Sequence, residues 1–354
     1  MYKTLLRVLG CALWKTSFQG SISAQSFIQI LSLAKDQTVL SLVFDVLKNA
    51  NLDGKIDKKL ILKIIKLTER TKIQNSKIDK ELLDFSLCCQ KTGLMCLVVK
   101  GQTIGWLYSN PALRTSGDID FLVPEISPHL FEVFQNVEFP VIMKEKEYGF
   151  KHNGFIYELH TRLIDFGCKK HQILWENLIS EEWRKDFYVS INGEMVRTLS
   201  PTINAVYLFL HLFFHLIREG VSLRQFCDWA VMLHYYRNEI DRTLLNDILK
   251  QLDMIRGYKS FGCILVEELG LPAEDFPMSY SNDDRKWKVK ILYDIFKGGN
   301  FGKHNHKAKS AYGYKIETFR LAARNSIRYY RLAPSEMFMM IPKMIKINLR
   351  LLVR

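Results

Sequence analysis

Two carboxylates stand two residues apart in Gly117-Asp118-Ile119-Asp120-Phe121-Leu122-Val123. In an extended chain that spacing sends both to one face, while Ile119, Phe121 and Val123 take the other and can enter a core. Like charges this close repel unless a cation lies between them, and hard oxygen ligands of this kind suit Mg²⁺. A third carboxylate obeys the same logic. Glu158 sits between Tyr157 and Leu159, so it faces away from the core its neighbours fill, and His160 shares its face. A bare D-x-D also occurs on solvated strand edges and at helix caps, so the surrounding elements must carry the assignment.

Other pairings are less specific. His211 and His215 are spaced i, i+4, which suits either a metal or two partly buried histidines of an amphipathic helix. Arg224 and Asp228 have the spacing of an ordinary helical ion pair. Asn49 to Asp57 follows the EF-hand order through Gly54 and Ile56, but Asn49 opens it and Leu60 stands where the bidentate Glu belongs. A turn joining two helices is expected there. Gly298 to Lys303, with His304 and His306, has the makings of an anion-binding nest or an H-x-H pair, and is expected to be a loop between helices.

The elements that must position these residues follow from periodicity. Residues 1–92 read as helices, with apolar positions recurring at three and four. Leu97-Val98-Val99 suits a short buried strand ending at the Lys100-Gly101 turn, followed by helix over Gln102 to Tyr108 and a loop containing Pro111, Arg114, Thr115, Ser116 and Gly117. Asp118 to Val123 is the next strand, ended by Pro124, and Ser127-Pro128 can start a helix. Further strands are expected at Tyr148 to His152, at Phe155 to Arg162, and on either side of Asn192-Gly193, a dipeptide favouring a type I′ hairpin. From Ser200-Pro201 onward the chain reads as helix. The fold class is α+β: a small mixed-sheet core at 93–200, flanked by a helical region at 1–92 and a helical domain with a basic tail at 201–354.

Composition sets the class around this core. The chain has 354 residues, of which 48% are apolar and 25% charged, which excludes a largely disordered protein. Seven cysteines form no C-x-x-C pair, so no disulfide framework is expected, and a reducing, cytoplasmic setting is. The apolar stretch Val8 to Trp14 is too short for a signal peptide core closed by a cleavage site, and reads as an amphipathic first helix; no run approaches a membrane span.

The string K-G-x(6)-Y-x-x-P-x-x-R-x-x-G-D-I-D-x-L-V is carried by Lys100, Gly101, Tyr108, Pro111, Arg114, Gly117, Asp118, Ile119, Asp120, Leu122 and Val123. With the Glu158 strand beyond it, this string resembles the bacterial uncharacterised nucleotidyltransferase family of the DNA polymerase beta-like superfamily. Leu210-His211 with His215, and Arg224 with Cys227-Asp228-Trp229, are similar to that family's helical segments, and the resemblance extends over roughly residues 1–300. Gly101 is followed by Gln102 and stands 17 residues before Asp118, a longer spacing than the superfamily's usual turn.

The resemblance implies Mg²⁺-dependent transfer of an NMP group from an NTP to a hydroxyl-bearing acceptor, with pyrophosphate leaving in line. Asp118 and Asp120 would hold two Mg²⁺, and Glu158 would bind the catalytic metal and take the acceptor's proton. Backbone N–H groups at Gly101 would cradle phosphate, with Lys100, Gln102, Arg114, Ser116 and Gly117 around the nucleotide. His160, His211, His215, Arg224 and Asp228 would face the cleft. The alternative is a catalytically silent nucleotide-binding or scaffold protein on the same fold.

Charge adds a separate feature. The net charge is +13, yet Ser281 to Arg354 alone holds 17 Lys and Arg against 5 Asp and Glu. Arg320, Arg324, Arg328 and Arg331 fall on one helical face, as do Lys343, Lys346, Arg350 and Arg354 on the next. Such stripes suit a solvated surface, or docking to a polyanion: an RNA acceptor or an anionic membrane face.

Overall fold

The computed structural model describes residues 1–126, 138–144, 147–299 and 311–352. It is a mixed α+β structure built on a small sheet, with helical regions before and after it. The chain opens with α1 (Tyr2–Trp14), whose Leu5, Leu6, Val8, Leu9 and Leu13 are buried, as an amphipathic first helix requires. Then come β1 (Ser21–Ser23), α2 (Ala24–Asp36), α3 (Leu40–Leu47), β2 (Asn51–Asp53) and the long α4 (Lys58–Thr92). The stretch with the EF-hand order thus joins α3 to α4. Asn51–Asp53 pairs in parallel with Ser21–Ser23, and Asp57 caps α4 by accepting the Lys59 N–H at 2.9 Å.

The sheet begins with β3 (Leu97–Val99), and α5 (Gly101–Gly105) follows directly. This helix stops at Gly105, short of the expected Tyr108, because the turn-forming Ser109, Asn110 and Pro111 lie just beyond. The remaining strands are β4 (Ile119–Leu122), β5 (Glu138–Lys144), β6 (Glu147–His152) and β7 (Phe155–His160), in the spatial order β3-β4-β7-β6-β5. β4 and β7 run parallel and the other neighbours antiparallel. β5 is not among the strands expected from the sequence; it lies at the sheet edge, where its Pro140 is tolerated.

Next come α6 (Lys169–Glu182) and the hairpin of β8 (Tyr188–Ile191) and β9 (Glu194–Arg197). Its turn residues Asn192 and Gly193 have φ of 52° and 88°, the positive pair a type I′ turn demands. The helical remainder is α7 (Pro201–Arg218), α8 (Leu223–Tyr235), α9 (Arg242–Gln251), α10 (Ile255–Glu267), α11 (Asn282–Gly298), α12 (Ala311–Arg328) and α13 (Pro334–Leu352). Ser200 does stand at the start of α7, but its side chain does not cap it. The Ser200 hydroxyl and N–H both donate to the buried Glu182, at 2.9 and 2.6 Å, which ties α6 to α7.

Buried apolar residues from Leu5 to Met340 form one continuous cluster, so both helical regions and the sheet share a core. All seven cysteines are free thiols. Among the described residues, no helix is long and apolar enough to cross a membrane. The expected helix start at Ser127-Pro128, the loop residues 300–306, the side chains of Lys346 and Arg350, and Arg354 lie outside the described residues.

Candidate active site

Parallel pairing of β4 and β7 decides which acids meet. The register sets Asp120 opposite Glu158 and Leu122 opposite His160. Asp120, Glu158 and His160 consequently present ligand atoms that all lie within 4.8 Å of one another. The His160 imidazole Nε2 is 2.8 Å from Asp120 Oδ1 and 3.7 Å from Glu158 Oε2. Asp118 is not in this cluster. It precedes the first residue of β4, and its half-exposed carboxylate acts electrostatically on Lys100, Arg114 and Arg224. Among the described residues, Glu158 and His160 are therefore the groups that share a cluster with Asp120, while Asp118 stands one residue before β4.

The core side of β4 is as expected, with Ile119, Phe121 and Val123 buried. Its other face is buried too, since Asp120 is only 3% exposed. A carboxylate in that setting needs positive charge nearby. The Lys100 ammonium supplies it at 2.8 Å from Asp120 Oδ1. Burial alone would push the Asp120 carboxyl up, but Lys100 and the His160 imidazole outweigh it and hold it below the usual carboxylate range. Burial would likewise depress Lys100; Asp120, Tyr207 and Asp118 reverse this and raise it.

α7 closes the site from the helical side. Tyr207, His211 and His215 lie on one stripe of it, Tyr207 stacked on His211 with ring centres 5.9 Å apart and His211 edge-on to His215 at 4.3 Å. The Tyr207 hydroxyl is within hydrogen-bonding reach of Lys100. Burial holds His211 well below the usual imidazole range, reinforced by Lys100, His215 and His160. His215 faces Glu219 at 3.5 Å, so the two α7 histidines belong to a stacked aromatic stripe and not to the carboxylate cluster.

Behind the acids runs a buried polar network. Arg114 donates to both carboxylate oxygens of Asp228, from Nε at 2.7 Å and Nη2 at 2.8 Å, and the Tyr108 hydroxyl donates to the same carboxylate at 2.6 Å. Arg114 Nη1 reaches Ser116 Oγ at 3.3 Å; Ser116 donates to Gln102 Oε1 at 2.6 Å; and the Gln102 amide donates to the buried Asp79 of α4. Asn75 of α4 donates to the carbonyls of Pro111, Ala112 and Arg114. Arg224 and Asp228 thus do not form the helical ion pair their spacing suggests. Asp228 is taken by Arg114, while Arg224 Nη1 donates to the Thr115 carbonyl at 2.9 Å and its buried Nε has no partner among the described residues.

Sequence reasoning missed Tyr207, Asp79 and Asn75. Tyr207 had a signal, four residues before His211 on one helical face. Asp79 and Asn75 had none, since nothing local in α4 indicates that they bond to α5 and the loop after it, more than twenty residues on.

Two carboxylates and an imidazole converging on one point form a donor set that fits a divalent cation. The oxygens suit Mg²⁺, and the imidazole extends the choice to Mn²⁺ and its neighbours. Neither a curated protein nor a solved structure matches the chain. A family model does match, over residues 23–269, which contain β3 to β9, the Asp120–Glu158–His160 cluster and the α7–α8 wall; the chain belongs to that family, the uncharacterised nucleotidyltransferases.

Proposed function

We propose that the protein is a cytoplasmic, Mg²⁺-dependent nucleotidyltransferase that moves an NMP group from an NTP to a hydroxyl-bearing acceptor and releases pyrophosphate. The observation that carries this reading is the parallel register that sets Asp120 against Glu158, with His160 and Lys100 beside them. Asp120 and Glu158, with Asp118 at the mouth of the site, would hold the cation or pair of cations. Such ions, when bound, neutralise the triphosphate and make the acceptor hydroxyl more acidic. Glu158 is the most exposed acid of the cluster, its side chain 26% accessible, and suits removal of the acceptor proton. Lys100 and Arg224 supply positive charge for the triphosphate. Arg114, Gln102 and Ser116 are occupied by one another, Asp79 and Asp228, and act as positioning residues for the loop that leads into β4. Gly101 opens α5 before that loop, and Gly117 lies at the loop's exit.

The basic C-terminal surface belongs to the same reading as the part that would bring the protein to a polyanion, an RNA acceptor or an anionic membrane face. On this reading the catalytic core is 93–200, between helical segments 1–92 and 201–354.

Substituting Asp118→Asn together with Asp120→Asn should abolish Mg²⁺-dependent binding of a non-hydrolysable NTP analogue while the thermal unfolding transition stays cooperative. Binding that survives in the folded double variant would sink the proposal. Pyrophosphate release measured over a panel of acceptors separates the enzyme from a silent nucleotide-binding scaffold built on the same site.

A further inference from the structure

Lys100 is placed with more care than a general electrostatic role needs. It is the N-cap of α5, at φ 58° and ψ −146°, a left-handed backbone that side-chain-bearing residues seldom adopt. Its ammonium is largely buried, 2.8 Å from Asp120 Oδ1 and in reach of the Tyr207 hydroxyl. The same Oδ1 also accepts from His160 Nε2 at 2.8 Å. One carboxylate oxygen has two lone-pair directions, so Lys100 and His160 together occupy it. A dication on this oxygen, at its usual distance of about 2.1 Å, would need one of those directions, and one on either oxygen of Asp120 would set its charge beside the ammonium.

The charges around the site point the same way. Among the described residues, Arg114 and Asp228 neutralise each other, Lys100 faces Asp120 and Asp118, and Arg224 faces Asp228 and Asp118. A dication bound here would place its charge beside Lys100 and Arg224. A triphosphate would cancel that charge, and Lys100, tethered at the turn and partly open to solvent, is a cation within the site that could meet it.

We propose that Lys100 is a displaceable counter-cation: it competes with the divalent metal for Asp120, and once displaced it binds the triphosphate, so that metal and nucleotide load together. The proposal rests on the nucleotidyltransferase reading and deepens it.

Mn²⁺ binding to the full-length protein, followed through the electron paramagnetic resonance signal of free Mn²⁺, tests it. Without nucleotide, Lys100→Gln should bind Mn²⁺ at least tenfold more tightly than the wild type, and Lys100→Arg should behave like the wild type. A non-hydrolysable ATP analogue should tighten Mn²⁺ binding strongly in the wild type and little in Lys100→Gln. A second measurement needs no variant. Lysine acylation read by mass spectrometry should modify Lys100 faster when Mg²⁺ is added, and more slowly when Mg²⁺ and the analogue are added together. If Lys100→Gln binds Mn²⁺ no better than the wild type, or Mg²⁺ leaves Lys100 acylation unchanged, the exchange is overturned while metal-assisted transfer stands. If neither wild type nor Lys100→Gln binds Mn²⁺, with or without the analogue, both fall.

Discussion

At the scale of single residues, the site depends on one buried ion pair distant in sequence. Arg114 and Asp228 are 4% and 6% exposed, and their bidentate contact joins the loop before β4 to α8. Asp228→Asn would leave the Arg114 guanidinium buried without a counter-charge, which costs about 3–5 kcal/mol. We expect that loss in denaturant unfolding, and a smaller one from Tyr108→Phe, which removes one hydrogen bond worth about 1–3 kcal/mol to a charged group. The pH dependence has a definite sign. Burial would raise the Asp228 carboxyl, but Arg114 and Arg224 overcome it and hold it below the ordinary value. Its contribution is therefore present above the unfolded carboxylate pKa of about 3.9 and is lost as pH falls through the lower folded value. Acid unfolding of Asp228→Asn should lack that part of the slope; an identical acid limb would exclude the pairing. Arg114, Arg224 and Asp228 were all legible as residues of interest. Their pairing was not, because helical spacing describes only local neighbours and Asp228 found its partner 114 residues away.

At the scale of elements, the short apolar strands and the Asn-Gly hairpin were legible because alternation and turn chemistry are local. The register of β4 on β7 was not, since the hydrophobic pattern fixes which face is inside but not which acid lies opposite which. That register is what adds His160 to Asp120 and Glu158. The docking of α13 was equally hidden. Glu336, fully buried in the first turn of α13, accepts the N–H groups of Gly167 and Cys168 and meets His171 Nδ1 at 3.3 Å. Lys343 reaches Asp165 and the Phe166 carbonyl, both at 2.6 Å. Gly167 permits this approach, because a Cβ there would lie 2.9 Å from the Met340 nitrogen and 3.0 Å from the Met339 carbonyl carbon. Gly167→Ala must push α13 off the connector that follows β7, at a cost of about 1–3 kcal/mol. Amide hydrogen exchange should then quicken over 334–343 ahead of global unfolding. Unchanged protection there would show that the helix is held by other contacts.

At the scale of the whole molecule, the basic excess lies almost entirely beyond Ser281, outside the 23–269 family match. Not all of it faces solvent freely. Arg328 meets Asp294 at 3.0 Å, and Lys343 is tied to Asp165. Arg320, Arg324 and Arg331 remain exposed along α12 and the turn after it, and the same helix presents Ile327 at 73% exposure. On α13, Phe338 is 67% and Met339 41% exposed. Cations accompanied by exposed aliphatic side chains such as Ile327 and Met339 suit an anionic membrane face, whereas single-stranded RNA rewards the cations and aromatic stacking on Phe338 but not the aliphatic area. In flotation assays the protein should follow vesicles rich in phosphatidylserine and not neutral ones. Each arginine near such a surface contributes about 1 kcal/mol, so Arg320→Ala with Arg324→Ala should weaken partitioning roughly thirtyfold. Phe338→Ser with Met339→Ser should weaken it at every salt concentration, because buried apolar area is not screened. If the serine variant partitions as the wild type does while the arginine variant loses salt-dependent binding to single-stranded RNA, the surface serves a nucleic acid. Absence of binding to either at low salt would reduce the stripe to a solvated face and turn the search for the acceptor towards small molecules.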